Sequence, residues 1–77
     1  MSNIDKIREI LKEEANPQVN IDEMSLTDSW DDAGIDSLDK SSIFLALEEG
    51  FGVSFEDEEI DSVDTIQQVD DLIASKL

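Results

Sequence analysis

A length of 77 residues allows one small domain, residues 1–77, and a hydrophobic fraction of 39% is just sufficient for its core. With 21 acidic and 5 basic residues the formal charge is −16, which excludes electrostatic binding to nucleic acid phosphates or anionic membranes and predicts partners with basic patches. The lack of Cys, His and Tyr excludes disulfides, thiolate nucleophiles and zinc–sulfur sites, removes the usual general bases and argues against an enzyme.

The first predicted element is a helix over residues 3–15, because apolar side chains recur there at helical spacing. Ser2 or Asn3 can cap its start, and Asn16-Pro17 ends it. The apolar positions are Ile4, Ile7, Ile10 and Leu11.

Residues 16–36 then form a long connection, which we expect to contain at most a short helical turn. A connection of this length needs contacts with the core or a function of its own. Its apolar residues are the predicted anchors: Val19, Ile21, Met24, Leu26 and Trp30. Trp30 is interpreted as a packing anchor, with partner recognition as the alternative reading.

The second long helix is predicted from Asp36 to about Gly50. Asp36 is a good N-cap, and Asp39 follows three residues later as a carboxylate variant of the capping box. Gly50 and Gly52 are expected to end the helix.

A short acidic segment, residues 56–61, is predicted to form one or two helical turns, either as a solvated turn or as part of a docking surface. The last helix begins at about Thr65, which caps it with Gln68 three residues on. The predicted fold is therefore all-α, a small four-helix bundle of three longer helices and one short helix with a long first loop.

The second long helix carries two apolar stripes rather than one. One stripe must face the core: Ile43, Phe44, Leu47 and Phe51. On the opposite side Leu38 and Leu45 lie seven residues apart, with Glu48 and Glu49 below. Isolated exposed leucines are ordinary, but two of them beside carboxylates also suit a docking surface for other proteins.

The segment Gly34-Ile35-Asp36-Ser37-Leu38-Asp39 is the most informative part of the chain. On spacing alone it is a capped helix start. Ser37 falls at the first helical position, where backbone N–H groups and the helix dipole favour an anion. The site therefore suits a phosphate ester on the Ser37 hydroxyl.

In these features the chain resembles a stand-alone acyl carrier protein, over nearly all of its length. The length, the acidity and the order of elements match those of the family. The matching segments are Gly34–Asp39, Ala46–Glu49 with Phe51, Glu56–Glu59 and the final helix from Thr65.

The resemblance implies that Ser37 is esterified by 4′-phosphopantetheine, which a magnesium-dependent phosphopantetheinyl transferase (holo-carrier-protein synthase) transfers from coenzyme A. Asp36, Leu38 and Asp39 would complete the attachment motif. The terminal thiol would carry acyl groups as thioesters to fatty-acid or related lipid and polyketide enzymes. We expect the acyl chain to enter a cavity lined by Phe44, Leu47, Phe55 and Ile60, and the chain to act as a monomer.

The chain departs from the usual fatty-acid pattern after this motif. Lys40-Ser41-Ser42 stands where the family commonly has Thr-Val-Glu, so an acid is missing at Ser42. Trp30 and Ala33 replace residues that are more often Phe and Leu. A specialised lipid, polyketide or aminoacyl carrier is thus as compatible with the sequence as a fatty-acid carrier. Lys40 is expected either to reach the prosthetic phosphate or to relieve carboxylate repulsion.

Two other functions share features with a carrier. A calcium-binding EF-hand fails, because counting from Asp28 puts Trp30 at ligand position 3 and Ala33 at the glycine position. Weak divalent binding by clustered carboxylates is still expected, without a defined metal site. An unmodified acidic adaptor shares the charge and the Leu38/Leu45 surface but gives Ser37 no role. No apolar run or leader suggests membrane insertion or secretion, so the cytoplasm is the expected location.

Overall fold

The computed structural model describes residues 3–77, which form α-helices and, within that range, no strand. In chain order they are α1 (Asn3–Glu14), α2 (Trp30–Ala33), α3 (Ser37–Phe51), α4 (Asp57–Ser62) and α5 (Ile66–Lys76). The predicted all-α bundle is confirmed, and α2 is the short helical turn expected within the first long loop. Ser2, one of the two candidate caps of the first helix, lies outside the described residues. None of the helices in residues 3–77 is both long and apolar enough to cross a membrane.

The core lies between α1, α3 and α5, because α1 packs against both of the other long helices. Each long helix presents to this core a stripe of apolar side chains at helical spacing. The residues without measurable exposure are Ile7, Leu11, Ile43, Leu47, Ile66, Val69 and Ile73, and Phe44 is almost as completely buried. The core-facing stripe predicted for α3 is therefore confirmed, although Phe51 is only half-buried.

The long connection between α1 and α2 is fixed to the bundle rather than mobile at its surface. Ile21, Met24 and Trp30 are buried, and Val19 and Leu26 are partly buried, so the five predicted anchors all reach the core. Backbone groups add to this attachment, since the Leu26 carbonyl accepts a hydrogen bond from the Gln67 N–H at 3.0 Å. The Arg8 side chain donates to the Ile21 carbonyl at 2.7 Å.

Two of the predicted helix caps form as their sequences indicate. The Asp36 side chain accepts a hydrogen bond from the Asp39 N–H, and the Thr65 side chain accepts one from the Gln68 N–H. At the start of α4, Glu56 and Glu59 form a reciprocal capping box. These caps satisfy backbone N–H groups that the first helical turn leaves without partners.

The end of α3 differs from the prediction at one glycine. Gly50 lies inside the helix, and only Gly52, with φ +68°, provides the left-handed C-cap. Gly50 is placed there by packing, because a Cβ atom at this position would lie 3.0 Å from Cδ1 of Ile10 on α1. The helix therefore extends one residue further, to Phe51, whose ring centroid lies 4.8 Å from the Lys6 ammonium.

Candidate functional site

The candidate site begins at the sharp reversal between α2 and α3. Gly34 has φ +96°, a left-handed conformation that other residues adopt only with strain. The next residue, Ile35, is buried, and its N–H donates to the Trp30 carbonyl at 2.9 Å. The reversal thus fixes the start of α3 relative to the core while leaving Asp36 and Ser37 at the surface.

Ser37 is the first residue of α3, and it is exposed. The backbone around it is well fixed. Asp36 Oδ1 accepts from the Asp39 N–H at 2.9 Å, and the Asp36 carbonyl accepts from the Lys40 N–H at 2.9 Å. The Ser37 carbonyl accepts a hydrogen bond from the Ser41 hydroxyl at 3.1 Å. A hydroxyl on such a rigid and accessible helix start fits a phosphate ester, because the positive end of the helix dipole favours the added negative charge.

The predicted docking side of α3 is exposed. Leu38 is 78% exposed and Leu45 is 60% exposed, and both are large apolar side chains facing solvent. Ser42 and Glu49 are also exposed on this helix, whereas Asp39 is partly buried. Two exposed leucines at this spacing on one helix form a small apolar surface with acidic neighbours. We call Leu38, Leu45 and Glu49 the α3 surface.

Glu48 is also predicted to take part in docking, but its carboxylate is not purely solvated, because it makes a contact within the fold. It is partly buried, and its Oε2 accepts a hydrogen bond from the Phe55 N–H at 2.8 Å. Glu48 therefore connects α3 to the segment that leads into α4. The assignment of Glu48 to partner docking stays a prediction, and its hydrogen bond to Phe55 is a second, structural role.

The four predicted cavity residues all belong to the apolar core or pack against it, two on α3, one before α4 and one within α4. Phe44, Leu47 and Phe55 are buried, and Ile60 is partly buried. The Phe44 and Phe55 rings meet edge to face with centroids 5.1 Å apart. Elsewhere in the described part of the chain, cavities open on the surface at the end of α1, between α1 and α3, and beside α2, and none of these four residues lines them. An acyl chain would have to separate these packed side chains.

Trp30 is the aromatic anchor that the sequence predicted, at 1% exposure. Its ring is tilted against that of Phe44, with centroids 5.9 Å apart. Its backbone N–H donates to the Asp64 carbonyl at 2.8 Å, which ties α2 to the segment before α5. The indole Nε1 is buried without a hydrogen-bond partner among the described residues.

Lys40 points to a neighbour that the sequence did not indicate. Its ammonium lies 3.5 Å from Asp64 Oδ1, and its side chain is only 17% exposed. The partner is 24 residues away in the sequence, so local spacing carried no signal for this pair. The contact offsets the charge of Asp64, whereas the expected relief of repulsion among Asp36, Asp39 and the phosphate stays a prediction.

Two carboxylates have pKa values below their ordinary range, both through hydrogen bonds. The pKa of Glu59 is lowered first by the Glu56 N–H and then by Lys76, whose ammonium lies 3.0 Å from Glu59 Oε1. The pKa of Asp28 is lowered by its hydrogen bonds from Ser25. Neither group is buried, and they do not form a reactive pair, since Asp28 stabilises a turn with Ser25 whereas Glu59 caps α4 and contacts Lys76 of α5. Within residues 3–77, no cluster of three or more His, Cys, Asp or Glu side chains is arranged to hold a metal ion.

Comparison with known proteins connects this geometry to a family. The sequence profile described as "Phosphopantetheine attachment site" matches residues 5–73. The chain is 39% identical over 75 residues to the acyl carrier protein homolog of Mycoplasma genitalium, covering 92% of this chain and 88% of the relative. It is 35% identical over 74 residues to the acyl carrier protein of Petrotoga mobilis, covering 95% of this chain and 85% of the relative.

Proposed function

Because the chain belongs to the acyl carrier protein family, we propose that Ser37 carries its 4′-phosphopantetheine group. Members of this family carry acyl groups and do not transform them. Ser37 lies within the matched residues 5–73, and its exposed position at the capped start of α3 is the observation that carries the proposal. The fixed backbone from Asp36 to Ser41 would hold the ester at a defined place on the surface.

In the attachment reaction this chain has to supply only the nucleophilic oxygen, Ser37 Oγ. Ser37 Oγ forms one new bond to phosphorus, its proton passes to a base on the transferase, and the phosphoanhydride bond of coenzyme A breaks as the leaving nucleotide departs. The attached group then supplies the thiol that a chain without Cys lacks. The N–H groups and dipole at the start of α3 stabilise the phosphodiester charge. Asp36 and Asp39 set the backbone geometry and add negative charge for a basic partner to recognise.

The α3 surface is the proposed docking site for the transferase and for acyl-processing enzymes with basic patches. Leu38 and Leu45 would form its apolar centre beside Glu49, and the neighbouring carboxylates of Asp36, Asp39 and Glu48 would extend the acidic rim around it. A carrier must bind and leave several enzymes, so these complexes should be small, transient and electrostatically steered. A net charge of −16 supports rapid encounter with basic surfaces.

The cargo is proposed to enter between α3 and α4, in contact with Phe44, Leu47, Phe55 and Ile60. These side chains form an apolar group beside a helix of only six residues. A short helix attached through few contacts can move at small free-energy cost. Burial of each cargo methylene would offset part of that cost by about 0.8 kcal/mol.

The proposal extends to the setting of the protein. Residues 1–77 would act as a single carrier domain and as a monomer in the cytoplasm. The missing acid at Ser42 favours a specialised lipid, polyketide or aminoacyl pathway as the alternative to general fatty-acid synthesis. Nucleic acid and membrane insertion have no place in this function, since the charge opposes the first and the mixed polar character of the helices opposes the second.

Intact-mass measurement tests the attachment directly. The protein is incubated with coenzyme A, Mg²⁺ and a phosphopantetheinyl transferase, and we expect the addition of one phosphopantetheine. Ser37→Ala should abolish the addition, whereas Ser42→Ala, at another exposed serine of α3, should leave it intact. If the wild-type protein stays unmodified, the acidic adaptor is favoured instead. If Ser37→Ala is still modified, the group is attached to another residue.

A further inference from the structure

Within residues 3–77, one buried side-chain polar atom has no hydrogen-bond partner. The indole Nε1 of Trp30 is buried without an acceptor among residues 3–77. An indole nitrogen is only a donor, and a buried donor without a partner destabilises the fold by an amount comparable to a lost hydrogen bond. Such groups are rare in folded proteins and call for an explanation specific to the site.

The surroundings of this nitrogen offer no obvious internal solution. All buried side chains in the described part of the chain are hydrophobic. A buried water usually makes about three hydrogen bonds, and these side chains supply no polar partners for it beyond the indole. The core side chains therefore supply no acceptor for Trp30 Nε1, and a ligand that enters the core could supply one.

The position of Trp30 indicates what could bring an acceptor. Its ring contacts Phe44, and Phe44 contacts Phe55, so the indole adjoins the side chains proposed to receive the acyl chain. Its backbone is held at both polar groups, by Asp64 through the N–H and by Ile35 through the carbonyl. Since Ile35 directly precedes the Asp36-Ser37 pair, the indole is fixed relative to the attachment residue.

We propose that the Trp30 indole N–H is a hydrogen-bond donor to acyl cargo that carries an oxygen on its own carbon chain, as a keto or hydroxyl group. This inference rests on the proposed function, because the cargo reaches the core only from Ser37. A saturated chain would leave Nε1 without an acceptor, whereas an oxygenated chain would supply one. The carrier would then hold oxygenated intermediates in its core more firmly than saturated chains of the same length.

The single tryptophan makes the test direct, since the chain has only one indole N–H resonance. The ¹⁵N-labelled protein is loaded by the transferase from octanoyl, 3-oxooctanoyl or 3-hydroxyoctanoyl coenzyme A, which leaves the acyl phosphopantetheine on Ser37, and loading is verified by intact mass. We expect the indole proton to move downfield and its hydrogen exchange to slow about fivefold with the two oxygenated chains relative to octanoyl. Equal shifts and exchange rates for all three chains would overturn the inference. A protein that accepts no prosthetic group would refute the proposed function instead.

Trp30→Phe supplies the matched variant, because it keeps an aromatic ring and removes the N–H. In the wild type, the melting temperature with 3-oxooctanoyl should exceed that with octanoyl, and in Trp30→Phe this difference should disappear. A difference that persists in the variant would assign the oxygen to another partner and overturn the role of Trp30. If the variant does not fold, the resonance comparison on the wild-type protein still decides the question.

Discussion

Glu48 on α3 accepts a hydrogen bond through Oε2 from the backbone N–H of Phe55, at 2.8 Å. The contact spans seven residues and holds the segment between α3 and α4 against the long helix. It also satisfies a backbone N–H at a buried residue, where an unpaired donor would be unfavourable. A carboxylate that the sequence suggested for partner docking therefore contributes to the fold.

Glu48→Ala should lower the free energy of unfolding by about 1 kcal/mol, since it removes the acceptor of a partly buried N–H. Glu48→Gln removes the same negative charge but keeps an acceptor oxygen, so its melting temperature should stay close to that of the wild type. Thermal unfolding followed by circular dichroism measures both. Equal destabilisation by the two variants would show that charge, and not the hydrogen bond to Phe55, is responsible.

Glu59 should give stability that depends on pH, because its hydrogen bond from the Glu56 N–H and its contact with Lys76 lower its folded-state pKa below the ordinary value of 4.5. A group with a depressed folded pKa stabilises the fold above its unfolded pKa, and this contribution is lost as pH falls through the folded value. Glu59→Gln should therefore be less stable than the wild type at pH 7, with the difference shrinking below about pH 4.5. The comparison uses chemical unfolding at several pH values.

Glu58→Gln is the control for this experiment, because Glu58 is exposed on the same short helix and its replacement changes the net charge equally. General relief of repulsion should affect both variants alike. A pH-dependent difference confined to Glu59→Gln would identify the contacts with Glu56 and Lys76 as its source. The same pH profile for both variants would contradict it.

The helices and their caps could be predicted because their signals are local. Asp36 with Asp39 and Thr65 with Gln68 lie within one turn, so composition and spacing are sufficient to identify them. Gly50 was misassigned because its place in α3 depends on Ile10 of another helix. The placement of Ser37 as the first residue of α3 could be predicted from the same Asp36 cap.

The contacts that the sequence did not predict join distant parts of the chain. Lys40 meets Asp64, and Trp30 is held by the backbone of the same residue, although neither pair shares a helix. Such contacts depend on how the long loop crosses the bundle, and hydrophobic periodicity carries no information about that path. The tie from Glu48 to Phe55 was missed for a similar reason, since an acidic residue at a helix end is usually solvated.

The Lys40–Asp64 pair should contribute little to stability. The ammonium and carboxylate are 3.5 Å apart, and Asp64 is half-exposed. Exposed pairs typically contribute about 0.2–1 kcal/mol and weaken with salt. A double-mutant cycle with Lys40→Ala and Asp64→Ala should give a coupling free energy in that range at low ionic strength, falling towards zero at high salt.

The phosphorus resonance of the modified protein separates this pair from a contact with the prosthetic group. Because the Lys40 ammonium contacts Asp64, Lys40→Ala should leave the phosphorus resonance unchanged. A clear shift in the variant, with distant backbone amides unaffected, would show that Lys40 reaches the phosphate despite its contact with Asp64.

Cargo burial should appear as a dependence of stability on acyl chain length. If each methylene enters the apolar group around Phe44 and Phe55, the melting temperature should rise steadily from acetyl to octanoyl. The free energy of unfolding should increase by at most about 0.8 kcal/mol per methylene. Ile60→Phe, at a partly buried position, should reduce this slope by filling space, whereas Leu38→Ala on the exposed α3 surface should not. Melting temperatures that are independent of chain length would mean that the cargo stays outside.

Partner docking should respond differently to a charge and to an apolar side chain on the α3 surface. Ser42 is exposed on α3 and supplies no charge where the family commonly has Glu. Ser42→Glu should therefore tighten binding to general fatty-acid enzymes by a small factor, since one exposed ion pair contributes about 0.2–1 kcal/mol. The gain should decline with added salt, because it comes from screened charges.

Leu45→Ala is the apolar counterpart on the same helix, and Leu45 is 60% exposed in the carrier alone. Its truncation should weaken binding about tenfold by removing apolar area that the partner covers, and salt should hardly change that loss. Both substitutions lie at the surface, so the melting temperature should stay nearly constant and separate docking from folding. Calorimetric titrations at two salt concentrations measure the effects. If Ser42→Glu proves neutral or harmful with every fatty-acid enzyme tested, the missing acid does not set the partner range, and the specialised-pathway proposal loses its main physical argument.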